Sequence, residues 1–208
     1  ASAHSSTTGM VGGGFYDANS APQMSAITAV LPWISKALAE LDLPAASRTI
    51  ALADFGCSEG RNSIDVMRHA ISDLRKRTSQ PIQTLHSDLP TNDFSNLMRT
   101  LRTEGHSVFE DKSVYSAAVP GSMFDQLFPP ASLDFAFTFN AIGFLSGRPV
   151  EVLPDYLLPN GPSRIREGGS VSEADQATFA KQAKDDVAAF LKARASELRP
   201  GGKVMLQV

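Results

Sequence analysis

The residues whose types and spacing bear most directly on chemistry are Asp54, Gly56 and Gly60, within Ala51-Leu-Ala-Asp-Phe-Gly-Cys-Ser-Glu-Gly60. The uncharged, mostly apolar run before them reads as a buried parallel strand, followed by a tight loop and a helix start. Glycine accepts positive φ and offers no side chain, so such a loop lets backbone N–H groups approach a ligand. In open α/β sheets, nucleotide-like ligands bind in the crevice at the carboxyl ends of the strands. The Gly-x-Gly-x-x-Gly dinucleotide fingerprint is absent, because Ser58 takes its second glycine, and this weighs against a nicotinamide dehydrogenase. The Asp-x-Gly-x-x-x-Gly spacing points instead to S-adenosylmethionine. Its plain competitor is a strand-to-helix turn that binds nothing.

Asp88 ends a second strand, where an acidic residue commonly accepts the ribose hydroxyls of a bound nucleoside. The competing reading is a helix cap or a solvated turn. Cys57 has no histidine near it in sequence to act as its base, so it reads as a small packing residue rather than a nucleophile. No Ser–His–Asp order or paired-carboxylate signature emerges. His4, His69, His86 and His106 lack metal-ligand spacing, which predicts no zinc site. Methyl transfer from a sulfonium tolerates these gaps, since the electrophile is already activated and alignment with water exclusion can suffice.

The elements that must position these residues follow from hydrophobic periodicity. Residues 1–20 are small, polar and glycine-rich, apart from Phe15 and Tyr16. Ile27, Val30, Leu31, Ile34, Leu38 and Leu41 predict an amphipathic helix over 23–42, kinked or divided at Pro32. Strands are expected at Thr49–Phe55, Ile82–Ser87, Val114–Val119, Leu133–Phe139 and Val204–Val208. Between them fall three helices. The first spans 62–78, with Arg68, Arg75, Lys76 and Arg77 outward. The second is capped by Thr91 or Asn92, with Phe94, Leu97, Met98 and Leu101 as its apolar face. The third carries Phe179, Val187, Phe190, Leu191 and Leu198 and ends at Pro200-Gly-Gly202. Prolines and glycines between 147 and 170 predict a long loop. The alternation gives an α/β doubly wound sheet.

At 208 residues the chain can bury a substantial core. With 42% hydrophobic and 20% charged residues and a net charge of −3, it carries no basic footprint for nucleic acid. No run is long enough to span a membrane, and the N-terminus lacks a signal pattern. Cys57 is the only cysteine, so no internal disulfide can form and a cytoplasmic location is expected.

Six segments in order resemble the SABATH family, the salicylate, jasmonate and caffeine-pathway methyltransferases. They are Met10-Val-Gly-Gly-Gly-Phe-Tyr-Asp-Ala-Asn-Ser20, Ala53-Asp-Phe-Gly-Cys-Ser-Glu-Gly-Arg-Asn62, Ser87-Asp-Leu-Pro-Thr-Asn-Asp-Phe94, Val119-Pro-Gly-Ser-Met-Phe124, Leu127-Phe-Pro129 and Ala189-Phe-Leu-Lys-Ala-Arg-Ala195. The resemblance implies a class I methyltransferase with a Rossmann-like doubly wound sheet, using S-adenosylmethionine. It implies an N-terminal closing segment, 1–47, and a cofactor-binding domain, 48–208, in which 147–170 is a loop or lid.

The resemblance further implies that Tyr16 and Ser20 close over the cofactor. Asp54, Gly56, Cys57, Ser58, Gly60 and Asn62 would line it, Asp88 would hold the ribose, and Leu89, Ser122 and Met123 would form the adenine pocket. Met123 stands where the family has phenylalanine. Gln23 falls at the family's carboxylate-binding glutamine. The family's Ser-Tyr-Ser-x-x-Trp-Leu-Ser is here Phe139-Asn-Ala-Ile-Gly-Phe-Leu-Ser146, so Asn140, Gly143 and Phe144 would shape a different acceptor site. Phe144 cannot donate the hydrogen bond of an indole. The expected acceptor is a small-molecule carboxylic acid, methylated without acid–base residues, and a homodimer is a possible assembly. Family members continue past the fifth strand into a hairpin and helical cap, so a truncated catalyst is expected. The competing reading is a non-catalytic module that binds cofactor or a partner without turnover.

Overall fold

A computed structural model describes residues 21–102, 110–150 and 172–207. Helix α1 (Ala21–Ala39) precedes β1 (Ile50–Phe55), α2 (Arg61–Arg75), β2 (Ile82–Asp88), α3 (Phe94–Thr100) and β3 (Val114–Pro120). Then follow β4 (Leu133–Phe139), a 3₁₀ turn (Ala141–Gly143), α4 (Glu173–Glu197) and β5 (Leu198–Gln207). The strands form one parallel sheet in the order β3-β2-β1-β4-β5. The chain builds outward from β1 to β3, then crosses over to lay β4 on the other side of β1. That reversal opens a crevice at the carboxyl ends of β1 and β4, the topological switch point of a doubly wound sheet.

A parallel sheet must be covered on both faces, so its central strands are largely apolar. Every residue of β1 and β4 is buried. On one face Ile50, Leu52, Ile82, Phe135, Phe137 and Phe139 meet Ile34 and Leu38 of α1 and Ile64, Met67, Ile71 and Leu74 of α2. On the other, Ala51, Ala53, Phe55, Leu85 and Ala136 meet Phe190 of α4. Phe55 packs edge-on against Phe128 and Phe190, with ring centroids 5.7 and 5.8 Å away.

Several sequence expectations need correction. Helix α1 runs through Pro32 as a single element, undivided. Arg75 and Arg77 do not simply face solvent. Arg75 bonds Asp111 at 2.5 Å and the Gln80 carbonyl at 2.7 Å, while Arg77 bonds the Leu38 and Leu41 carbonyls and ties down the end of α1. The cap of α3 is Asp93, which accepts from the Asn96 N–H, in place of Thr91 or Asn92. Met98, Val187 and Leu191, assigned to apolar faces, are exposed. Pro200-Gly-Gly202 does not separate α4 from β5, because the strand begins at Leu198 and loops these residues out between the Leu133–Leu198 and Phe135–Lys203 pairs. Arg199 folds back onto the Asp134 carboxylate and the Asp42 carbonyl there. Of the expected loop, 151–170 lies outside the described residues.

Candidate active site

The loop after β1 folds as the sequence requires. Gly56 and Gly60 both have strongly positive φ, 97° and 103°, where a side chain is strained. A Cβ on Gly56 would overlap the Ala141 methyl, and one on Gly60 would strike Leu97. Gly56 and Cys57 donate their N–H groups to the Ser87 carbonyl at 2.8 and 3.1 Å, which holds the loop against the end of β2. Ser58 also takes positive φ, 49°, and donates its N–H to Asp88 Oδ2 at 2.6 Å. Asn92, which the sequence offered as a cap, instead donates from Nδ2 to the Ser58 carbonyl at 2.8 Å.

The cleft at the switch point is lined by Ile27, Asp54, Gly56, Cys57, Asn62, Ser63, Val66, Phe137 and Phe139. Of these, the sequence pattern points to Asp54, Gly56, Cys57 and Asn62. It missed Ser63, and Phe137 and Phe139, whose stacked rings stand 5.1 Å apart. Every other β4 residue shares a face, so the aromatic spacing 135-137-139 was the available signal. Met123 borders the same loop, with its Cε near the point where a Gly56 Cβ would sit. Gly60 starts α2 without a side-chain cap.

Burial dominates the electrostatics. It pushes the Asp54 carboxyl up to about 7, with the neighbouring Asp88 charge adding to the effect and a hydrogen bond with Ser63 opposing it. Burial also raises Asp88, against the two N–H groups, of Ser58 and Leu89, that stabilise its carboxylate. The Cys57 thiol is driven well above its ordinary range by burial and by both carboxylates. It stays protonated and is no nucleophile, as its sequence setting indicated.

Ser58 Oγ, Asn62 Nδ2, Ser87 Oγ, Thr138 Oγ1 and Asn140 Nδ2 are buried without a hydrogen-bond partner. Buried polar groups left unmet cost stability, and the Asn62 amide, unmet where it lines the cleft, fits a polar ligand. Together with the glycine cradle and the Asp88 carboxylate, it offers donor and acceptor groups of the kind an S-adenosyl group needs.

Asn140 follows β4 with φ 64°, one of three non-glycine residues of positive φ among those described. The space at Gly143 is open, and the Phe144 ring is 65% exposed. Ser146 is fastened to α4, donating from N and Oγ to Asp186 at 2.8 and 2.6 Å. Ser122 lies just after β3, where its Oγ accepts from the Phe124 N–H at 3.3 Å. Tyr16 and Ser20 lie outside the described residues, as does the side chain of Gln23 in the first turn of α1.

The model of the SAM-dependent carboxyl methyltransferases matches residues 5–208. The chain belongs to this family. Its members take their methyl group from S-adenosylmethionine, and the fold is that of an α/β methyltransferase. Among relatives, the O-methyltransferase acrG of Aspergillus aculeatus is 32% identical over 202 residues, covering 95% of this chain and 50% of that protein. The loganic acid O-methyltransferase of Catharanthus roseus is 32% identical over 162 residues, covering 76% of this chain and 42% of that one. A solved loganic acid methyltransferase with S-adenosylhomocysteine superposes with a TM-score of 0.75 at 27% identity, covering 96% of this chain and 58% of the other. The chain thus spans about half the length of the curated relatives it matches.

Proposed function

We propose that this chain forms the cofactor-binding part of a methyltransferase that esterifies a small-molecule carboxylic acid by direct in-line transfer. The observation that carries the reading is the meeting, at the switch point, of the Gly56–Gly60 cradle, the Asp88 carboxylate held by the Ser58 N–H, and the unmet Asn62 amide in the cleft. S-adenosylmethionine supplies a methyl already activated on a sulfonium. Each Asp88 oxygen accepts one backbone N–H and keeps a further lone pair for a ribose hydroxyl. Asp54 supplies negative charge to a cationic ligand, and Gly56 and Gly60 admit it close to the backbone. Cys57, Ser58 and Asn62 line that end, while Leu89, Ser122 and Met123 flank the base. Tyr16 and Ser20, within the closing segment 1–47, cover the bound cofactor.

For the acceptor, the unmet Asn140 amide is a donor suited to a carboxylate oxygen, with Gln23 as the second donor. Gly143 and Phe144 set the room around it. An ionised carboxylate is already a nucleophile, so the chain's task is alignment and exclusion of water. The names of the loganic acid relatives support a carboxylic acid acceptor.

Calorimetric titration of the folded chain with S-adenosylhomocysteine tests the reading, and saturable binding is expected. Absence of both heat and a thermal shift would remove the cofactor assignment. Labelled methyl transfer to a panel of small carboxylic acids and amines then tests the acceptor, with base-labile methyl ester as the expected product. Transfer to amines alone would overturn the carboxyl assignment.

A further inference from the structure

His86 is fully buried on the central strand β2, yet no step above uses it. It stands directly across from Asp54 in the β1–β2 register, and Thr84 stands across from Ser116 in the β2–β3 register. With a two-residue repeat, Thr84, His86 and Asp88 share one face of the strand. Ser63, in the first turn of α2, bridges the pair, its hydroxyl hydrogen-bonding Asp54 and lying 2.8 Å from His86 Nδ1. His86 Nε2 is 3.1 Å from Thr84 Oγ1, which is 2.6 Å from Ser116 Oγ. Ser116, on the edge strand, is half-buried.

We infer that Ser63, His86, Thr84 and Ser116 form a proton relay that positions Asp54 and connects its carboxyl to the edge of the sheet. The inference rests on the cofactor reading for its purpose, though not for its geometry.

With a neutral imidazole, the donors and acceptors along the line can be arranged in only two consistent ways. When Asp54 holds a proton, it donates to Ser63, Ser63 donates to Nδ1, Nε2–H donates to Thr84, and Thr84 donates to Ser116. When Asp54 is ionised, every bond reverses: Ser116 donates to Thr84, Thr84 to Nε2, Nδ1–H to Ser63, and Ser63 to Asp54. Passing from the first state to the second shifts one proton along each link, and one leaves at Ser116. Each hydroxyl ends with a single hydrogen and His86 is neutral in both states, so the balance closes. Burial keeps the imidazole neutral, lowering it to about 4 with no charged group contributing.

The titratable groups facing Asp54 are Asp88, at the end of β2, and Cys57, in the loop, which stays a thiol. The cleft residues from α1, α2 and β4 are Ile27, Asn62, Ser63, Val66, Phe137 and Phe139, none of them charged. A cationic ligand over Asp54 favours the carboxylate, and the relay gives its proton a way out that the ligand does not cover.

Nitrogen-15 spectra of histidine-labelled chain, without ligand, read the tautomer of His86 directly. Protonation is expected to move from Nε2 to Nδ1 as pH rises, with a midpoint near the Asp54 value of about 7. Asp54→Asn should hold the Nε2–H form at every pH, because the amide can donate to Ser63 as the protonated acid does. Ser63→Ala should uncouple the tautomer from pH, and Ser63→Thr, which keeps the hydroxyl, should restore the coupling. Circular dichroism checks the fold of each variant, and the unsubstituted chain alone decides if one does not fold. A single tautomer from pH 5 to 9 in the folded chain, or a switch that persists in Asp54→Asn, would overturn the relay. A switching tautomer in a chain that binds no S-adenosylhomocysteine would leave the relay standing and remove only the cofactor reading.

Discussion

Asp54 and His86 are buried neighbours whose titrations pull stability in opposite directions. The Asp54 carboxyl is raised from 3.8 to about 7, so between those values the folded chain holds a proton that the unfolded chain has lost. Its contribution is complete at the acid end and is lost as pH rises through 7. His86 is lowered from 6.5 to about 4, so its contribution is complete above 6.5 and is lost as pH falls toward 4. The two slopes oppose each other between about 4 and 6.5, and above that only the Asp54 loss remains. Urea midpoints should therefore fall as pH passes through 7. Asp54→Asn should abolish that fall and expose a rise between about 4 and 6.5, and a profile matching the parent's would refute the assignment. At the neighbouring position, Asp88→Asn loses the charge that draws hydroxyl donors, and calorimetry should show S-adenosylhomocysteine affinity reduced about tenfold or more. An unchanged affinity would exclude Asp88 from the ribose role. Asp54 and Asp88 were legible in the sequence because each lies at the carboxyl end of a strand the sequence predicts. His86 was not, since a lone histidine inside a strand carries no sign of what lies across from it.

At the scale of elements, the site depends on how closely the β1–α2 loop approaches the turn after β4. Gly56 touches Ala141 with no room for a methyl, and its φ of 97° already disfavours any side chain. Gly56→Ala should cost about 2 kcal/mol or more, read as a lower urea midpoint, because strain and overlap act together. A variant as stable as the parent would show that the loop can yield. The turn after β4 is held differently, by one buried carboxylate on α4. Asp186 accepts from Ser146 N, Ser146 Oγ and Gln182 Nε2. Asp186→Ala should cost about 1–3 kcal/mol and raise KM for the acceptor while leaving S-adenosylhomocysteine affinity unchanged. Equal damage to both ligands would mean that the turn serves the cofactor as well. The glycine loop could be read from sequence because positive φ restricts the residue type. The Asp186 fastening could not, because forty positions separate its partners.

Across the whole molecule, one buried cation joins elements far apart in sequence. Arg194 on α4 bonds Glu197 at 2.7 Å and the carbonyls of Met123 and Asp125 at 2.7 and 2.9 Å, with its guanidinium 3.7 Å from the Phe55 ring centroid. Glu197 in turn accepts from the N–H groups of Leu127 and Phe128 at 2.5 and 2.9 Å. This clamp sets the segment carrying Ser122 and Met123 against β1. Removing one partner strands the other charge in the core, so Glu197→Ala should cost about 3–5 kcal/mol and lower Tm by roughly 10 °C. A loss of only a degree or two would show that the arginine finds other acceptors. The sequence by itself determined the family, the five parallel strands, and the glycine loop after β1 with its neighbouring aspartates, because backbone conformation and strand burial constrain residue type locally. Tertiary structure alone decided that β4 returns beside β1, that Pro200-Gly-Gly202 loops out within a strand, and that Ser63 and His86 stand behind Asp54. Those outcomes depend on sheet order and register, which bring together side chains that no local pattern relates.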